Sequence, residues 1–153
     1  MNIIGIGHMA LRCNHFQETL NFYTNVLGGR KAFDLYDDAG NLCLTYVEIA
    51  PGQFVELFPA PYEGDNDQMN RSYVHICLEV DDFPKAVRKL QKNGALVTAG
   101  PKGAPAVQEP LEEKEPGQCG SICAFVTDPE GNDVELMQFT ANSKQLKGGA
   151  VCE

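Results

Sequence analysis

The chain carries a weak internal repeat, and this repeat restricts its fold more than any other feature. Gly7-His8-Met9-Ala10-Leu11 opens the first half, and Val74-His75-Ile76-Cys77-Leu78 opens the second. An apolar helical spacing follows in each half and stops at glycine: His8 lies 20 residues before Gly28, and His75 lies 19 before Gly94. Each half then closes on an apolar segment with a central glutamate, Phe54-Val55-Glu56-Leu57-Phe58 and Asp133-Val134-Glu135-Leu136-Met137. A repeated unit this short has too little core to stand alone, so its apolar face needs a neighbour.

The spacing predicts the elements. Asn14 is the expected N-cap of the first helix, with Phe16, Leu20, Tyr23 and Leu27 as its apolar positions. Asp81 or Asp82 caps the second, Pro84 suits its first turn, and Phe83, Ala86, Val87 and Leu90 form its stripe. Strands are expected near 3–12, 31–37, 42–49, 54–59, 73–80, 95–99, 119–127 and 133–139. Asp128-Pro129-Glu130-Gly131-Asn132 reads as the hairpin turn between the last two. The fold class is therefore α+β, two tandem βαβββ modules in a single domain over 1–139. Module 1 covers about 3–60 and module 2 about 73–139, with 140–153 as a frayed C-terminal tail. The proline- and glycine-rich stretch from Gly100 to Gly120 lengthens the second half: His8 to Glu56 is 48 residues, His75 to Glu135 is 60. A loop of this length is functional or disordered.

Composition removes several classes of function. A formal net charge of −9 argues against a nucleic-acid or anionic-membrane surface, which needs lysine and arginine. No apolar run approaches the roughly 18 residues of a membrane span. Met1-Asn2-Ile3-Ile4 lacks the basic region of a secretory leader, which points to a cytoplasmic protein. The six cysteines, Cys13, Cys43, Cys77, Cys119, Cys123 and Cys152, show no Cys-x-x-Cys spacing. They read as reduced thiols, each a small buried apolar residue.

Side chains alternate faces along a strand. Val55, Leu57, Val74, Ile76, Leu78, Val134 and Leu136 fall on one face, the face that carries the helices. His8, Glu56, His75 and Glu135 fall on the other, where a curved sheet would enclose a polar pocket. One strand histidine or one glutamate signals little. The same two residue types at the same place in both halves make a chemically sensible set of two imidazoles and two carboxylates. A divalent cation also removes the cost of burying glutamate. Nickel, cobalt or zinc suits such a set, with manganese or iron as further candidates.

These segments resemble the vicinal oxygen chelate superfamily, the glyoxalase/bleomycin resistance/dioxygenase fold of paired βαβββ modules. Within it they are most similar to glyoxalase I. The carrying segments are His8-Met9-Ala10-Leu11-Arg12, Leu20 to Gly28, Val55-Glu56-Leu57, His75-Ile76-Cys77-Leu78 and Asp128 to Leu136. The resemblance implies a metal-dependent lyase or isomerase that converts the hemithioacetal of a 2-oxoaldehyde and a thiol into a 2-hydroxyacyl thioester through an enediolate. It implies His8, Glu56, His75 and Glu135 as metal ligands, Glu135 as principal base with Glu56 as the other candidate, and a homodimer with sites at an interface. It also implies that Arg12, about 13 Å beyond His8 on the same strand face, holds an anionic group of the substrate. Glu56-Leu57-Phe58 is followed by Pro59-Ala60 with no amide residue nearby, which leaves the thiol carrier open. The competing readings are an epimerase with the same enediolate chemistry, an extradiol-type dioxygenase, and a metal-free small-molecule binding protein. Glu56 as a fourth ligand counts against the dioxygenase, and a complete ligand set counts against the binding protein.

Overall fold

The computed structural model describes residues 6–59 and 73–145. The chain divides between residues 66 and 67 into two compact units, each with its own sheet. Residues 3–5 of the first expected strand, tail residues 146–153 and Cys152 lie outside the described residues.

The first unit holds β1 (His8–Arg12), α1 (Phe16–Asn21), β2 (Arg30–Tyr36), β3 (Leu42–Ala50) and β4 (Gln53–Phe58). Its sheet order is β1-β4-β3-β2, with β1 parallel to β4 and the other pairs antiparallel. Val47, Val55 and Leu57 are fully buried. Burying side chains of this size contributes about 1.5–3 kcal/mol each. A slip of one residue would send Glu56 into that core, so the apolar pattern fixes the register.

The first helix departs from the expected pattern. It starts at Phe16 with His15, not Asn14, at the N-cap position, and from Phe22 to Val26 it widens into a π-turn. The Leu27 N–H reaches back five residues to the Phe22 carbonyl at 2.9 Å. The wider turn shifts the buried stripe, so Thr19, Phe22 and Tyr23 are buried while Phe16, Leu20 and Leu27 are only partly covered. Gly28, at φ 88°, ends the helix.

The second unit holds β5 (His75–Glu79), α2 (Phe83–Lys92), β6 (Ile122–Thr127) and β7 (Asp133–Gln138), in the order β5-β7-β6. β5 is parallel to β7, and β6 is antiparallel to it. Asp82 is the cap, its carboxylate accepting the Lys85 N–H at 2.9 Å, and Phe83, Val87 and Leu90 are buried. Val74, expected on the core face, precedes β5 and is 58% exposed.

The strand expected at 95–99 does not form. Only Thr98 pairs, through isolated bridges to Ala106 and Phe125. Pro101 and Pro105 have no N–H to extend a ladder. The loop that follows folds onto α2: Leu111 is buried, and Arg88 on α2 bridges Glu109 and Glu112. Gln138 accepts the Phe83 N–H from α2, so the helix lies on the Gln138 side of β7, opposite Glu135. The middle of the loop is therefore tied away from Glu135 and does not close over it.

The segment 140–145, expected to fray, is pinned. The Thr140 hydroxyl donates to the Gly120 carbonyl at 2.6 Å, Ser143 is buried against Ser121 at 2.7 Å, and the Lys144 N–H donates to the Cys119 carbonyl at 2.8 Å. The Asp128–Asn132 turn forms as expected, with the Asp128 carboxylate accepting the Asn132 N–H at 2.8 Å and its side-chain amide at 3.0 Å. Asp37-Asp38-Ala39-Gly40-Asn41 builds the same turn between β2 and β3, with the corresponding bonds at 2.8 and 2.9 Å.

Candidate functional site

On the uncovered face of the first sheet, β1 aligns His8, Ala10 and Arg12 with Phe54, Glu56 and Phe58 of β4. Ala10 is directly opposite Glu56, so His8 reaches the carboxylate diagonally, Nε2 to Oε2 at 3.4 Å. The second sheet repeats this. Cys77 is opposite Glu135, and His75 reaches Glu135 diagonally at 3.1 Å. In both units the histidine therefore stands opposite the residue two before the glutamate. The carboxylates are sunk, at 9% and 12% side-chain exposure, while the imidazoles stand higher, at 48% and 34%.

A nitrogen–oxygen separation of 3.1–3.4 Å is also the separation of two neighbouring ligand atoms on one metal ion. With bonds of about 2.1 Å, the edge of an octahedron is about 3.0 Å and that of a tetrahedron about 3.4 Å. Each pair thus fits two adjacent ligand positions. Among the described residues no group of three or more His, Cys, Asp or Glu side chains is arranged to hold a metal, so each unit offers two donors. Arg12 lies on the His8–Glu56 face, is exposed and makes no ion pair among the described residues.

Two aromatic residues that the sequence reading does not name complete each pair. Tyr46 stands opposite Glu56 and edge-on to His8, with ring centroids 6.1 Å apart at 83°. Phe125 stands opposite Glu135 and edge-on to His75, at 5.8 Å and 85°. The signal was in the spacing, since each aromatic precedes its glutamate by ten residues. They differ in one atom that matters. The Tyr46 hydroxyl hydrogen-bonds Glu56, and this bond, with burial and the nearby charge, raises the phenol above its ordinary value. Phe125 has no such donor.

The match to known proteins follows the same segments. Residues 5–136 match the family model described as Glyoxalase/Bleomycin resistance protein/Dioxygenase superfamily. The chain belongs to that superfamily. It is 30% identical over 134 residues to a lactoylglutathione lyase of Salmonella typhimurium, covering 86% of this chain and 90% of that one. A glyoxalase family protein from Enterococcus faecalis shares the fold with a TM-score of 0.67 at 20% identity, covering 90% of this chain and 99% of that one. TnmS3, an antibiotic binding protein from a Streptomyces species, shares it at 0.61 and 21%, covering 92% and 99%.

In this superfamily member the surroundings of the two glutamates are unlike. Cys77 on β5 stands opposite Glu135, and Cys123 on β6 lies two positions from Phe125 on the same face. Partial burial and the Glu135 charge push the Cys77 thiol up to about 12 and raise that of Cys123 as well. The expectation that every cysteine is a buried apolar filler holds for Cys13 and fails for Cys43, Cys77 and Cys119, which are exposed. Odd-numbered positions of β5 face the uncovered side of the sheet, which puts Cys77 there; Cys43 and Cys119 lie at or beside turns. No helix among the described residues is long and apolar enough to cross a membrane.

Proposed function

We propose that the chain is a metal-dependent lyase of glyoxalase I type, acting on the hemithioacetal of a 2-oxoaldehyde and a thiol. The observation that carries this reading is the His–Glu pair repeated at one register offset in both units. The similarity to lactoylglutathione lyases supports it. His8, Glu56, His75 and Glu135 together would hold one divalent ion, nickel, cobalt or zinc, with manganese or iron as alternatives. That ion supplies Lewis-acid stabilisation of negative charge on substrate oxygens. Glu135 removes the C–H proton of the substrate and returns it to the neighbouring carbon. Glu56, held by the Tyr46 hydroxyl, serves mainly to bind and orient. The working assembly is a homodimer, and a monomer that retains turnover in light scattering at micromolar concentration would count against it.

The test is turnover of methylglyoxal with a panel of thiols after loading with each metal. Thioester formation with one thiol supports the reading. Epimerisation of an acid or thioester without thioester formation would replace it, and ligand binding without turnover under any metal would return the chain to the binding proteins of this fold.

Arg12 tests the substrate's polarity. Exposed on the His8–Glu56 face, it is suited to a distal carboxylate. Arg12→Ala is expected to raise KM about tenfold or more, as loss of a charged hydrogen bond does, while kcat changes less than threefold. Unchanged kinetics would leave Arg12 a surface residue.

A further inference from the structure

We propose that Asp133 is a positioning residue: it fixes the 101–104 turn on the His75–Glu135 face, where Lys102 meets an anionic group of the substrate. Asp133 is 1% exposed and falls on the same side of β7 as Glu135. The two are one strand repeat apart, about 6.6 Å along β7. Both carboxylate oxygens of Asp133 accept the Lys102 N–H at 3.1 Å, and the Thr127 hydroxyl donates to one of them at 3.3 Å. The turn is closed by the Ala104 N–H to the Pro101 carbonyl at 2.9 Å, with Gly103 at φ +95°. Its base is held to β6, since Thr98 bridges Phe125. A carboxylate so buried is costly unless it is bonded, and here its closest partner is the tip of a loop.

The repeat shows what this turn adds. Arg12 ends β1 four residues beyond His8, and the corresponding residue at the end of β5, four beyond His75, is Glu79. None of β5, β6 and β7 carries a lysine or arginine. The first unit passes from Gly28 into β2 at Arg30, whereas the second runs from Gly94 to Ile122 before its next strand. That added length brings Lys102, which is exposed and makes no ion pair among the described residues. Its flexible four-carbon stem can span the step from the Asp133 anchor toward bound substrate. The substrate contact rests on the lyase reading given above; the anchor does not.

Steady-state kinetics of the full chain, with the thiol that gives turnover, tests the contact, and hydrogen exchange of the Lys102 amide tests the anchor. Lys102→Gln, a surface change, is expected to raise KM about tenfold with kcat changed less than threefold, as loss of a charged hydrogen bond does. Asp133→Ala is expected to raise KM as much and to speed exchange of the Lys102 amide. Asp133→Asn keeps an acceptor oxygen, and is expected to keep that exchange slow and raise KM less than threefold. Because Asp133 acts through Lys102, the Asp133→Ala/Lys102→Gln double variant is expected to show the KM of Lys102→Gln alone. Additive rises in the double variant would leave Asp133 a structural residue, and an unchanged KM in Lys102→Gln would remove the contact; either result overturns the proposal. Exchange as fast in the wild type as in Asp133→Ala would overturn the anchor. An unmutated chain without turnover under any thiol or metal would instead overturn the lyase reading, and the substrate contact with it.

Discussion

Glu135→Gln is expected to keep its metal and lose about 10²–10⁴-fold in kcat, the usual contribution of a positioned general base. The amide oxygen can still ligate, but the side chain can no longer accept a proton. Glu56→Gln is expected to be milder, about tenfold, within the range of a lost orienting hydrogen bond. The repeat alone gives no reason to rank the two, because each glutamate lies diagonal to a histidine at the same offset. The aromatic position breaks the tie. Tyr46 occupies Glu56 with a phenolic O–H, whereas Phe125 offers Glu135 nothing. The neighbours of Glu135 on that face include the thiols of Cys77 and Cys123, which are weak donors and compete little with substrate. Stopped-flow turnover of both variants at saturating substrate checks this. The reverse order would move the base to Glu56, and near-wild-type rates in both would remove proton transfer from this site.

Gly120→Ala is expected to destabilise the second unit by about 3 kcal/mol, lowering Tm by roughly 10 °C. Gly120 adopts φ +80°, where an L side chain costs about 1–2 kcal/mol. A Cβ there would also collide with the Asn142 carbonyl, in the segment that 119–121 holds by four hydrogen bonds. Gly52→Ala is the control. It has a similar φ, +73°, with no atom within 4 Å of the added carbon, so only the conformational cost of about 1 kcal/mol applies. Calorimetry of the two variants separates strain from collision. Equal shifts would mean that the 140–145 segment yields without cost.

Much of this architecture was legible because the repeat couples periodicity to face. Val55 and Leu57 had to be buried, and Glu56 then had to face the other way. Asp82, Pro84 and Gly94 marked the second helix because each acts through its own local chemistry. What was missed depends on partners distant in sequence. The 95–99 segment has strand-like composition, but Pro101 and Pro105 deny it a ladder. The 140–145 segment is polar and reads as loose, yet its hydroxyls find the carbonyl and hydroxyl groups of 120 and 121. The π-turn at Phe22–Val26 changes which residues of the first helix face inward, which no 3.6-residue template anticipates. At the site, the histidines and glutamates stood out by type, whereas Tyr46 and Phe125 looked like ordinary strand aromatics until register set them opposite the glutamates.

Whether the four side chains hold a working metal ion is decided by metal content measured beside turnover, on protein stripped by chelator and then reloaded with nickel, cobalt or zinc. About one equivalent per chain is expected, as a set of four ligating side chains should hold. Activity should return with the metal, and His8→Ala and His75→Ala should each lose both. Full turnover after exhaustive chelation, or undiminished metal in both histidine variants, would contradict it.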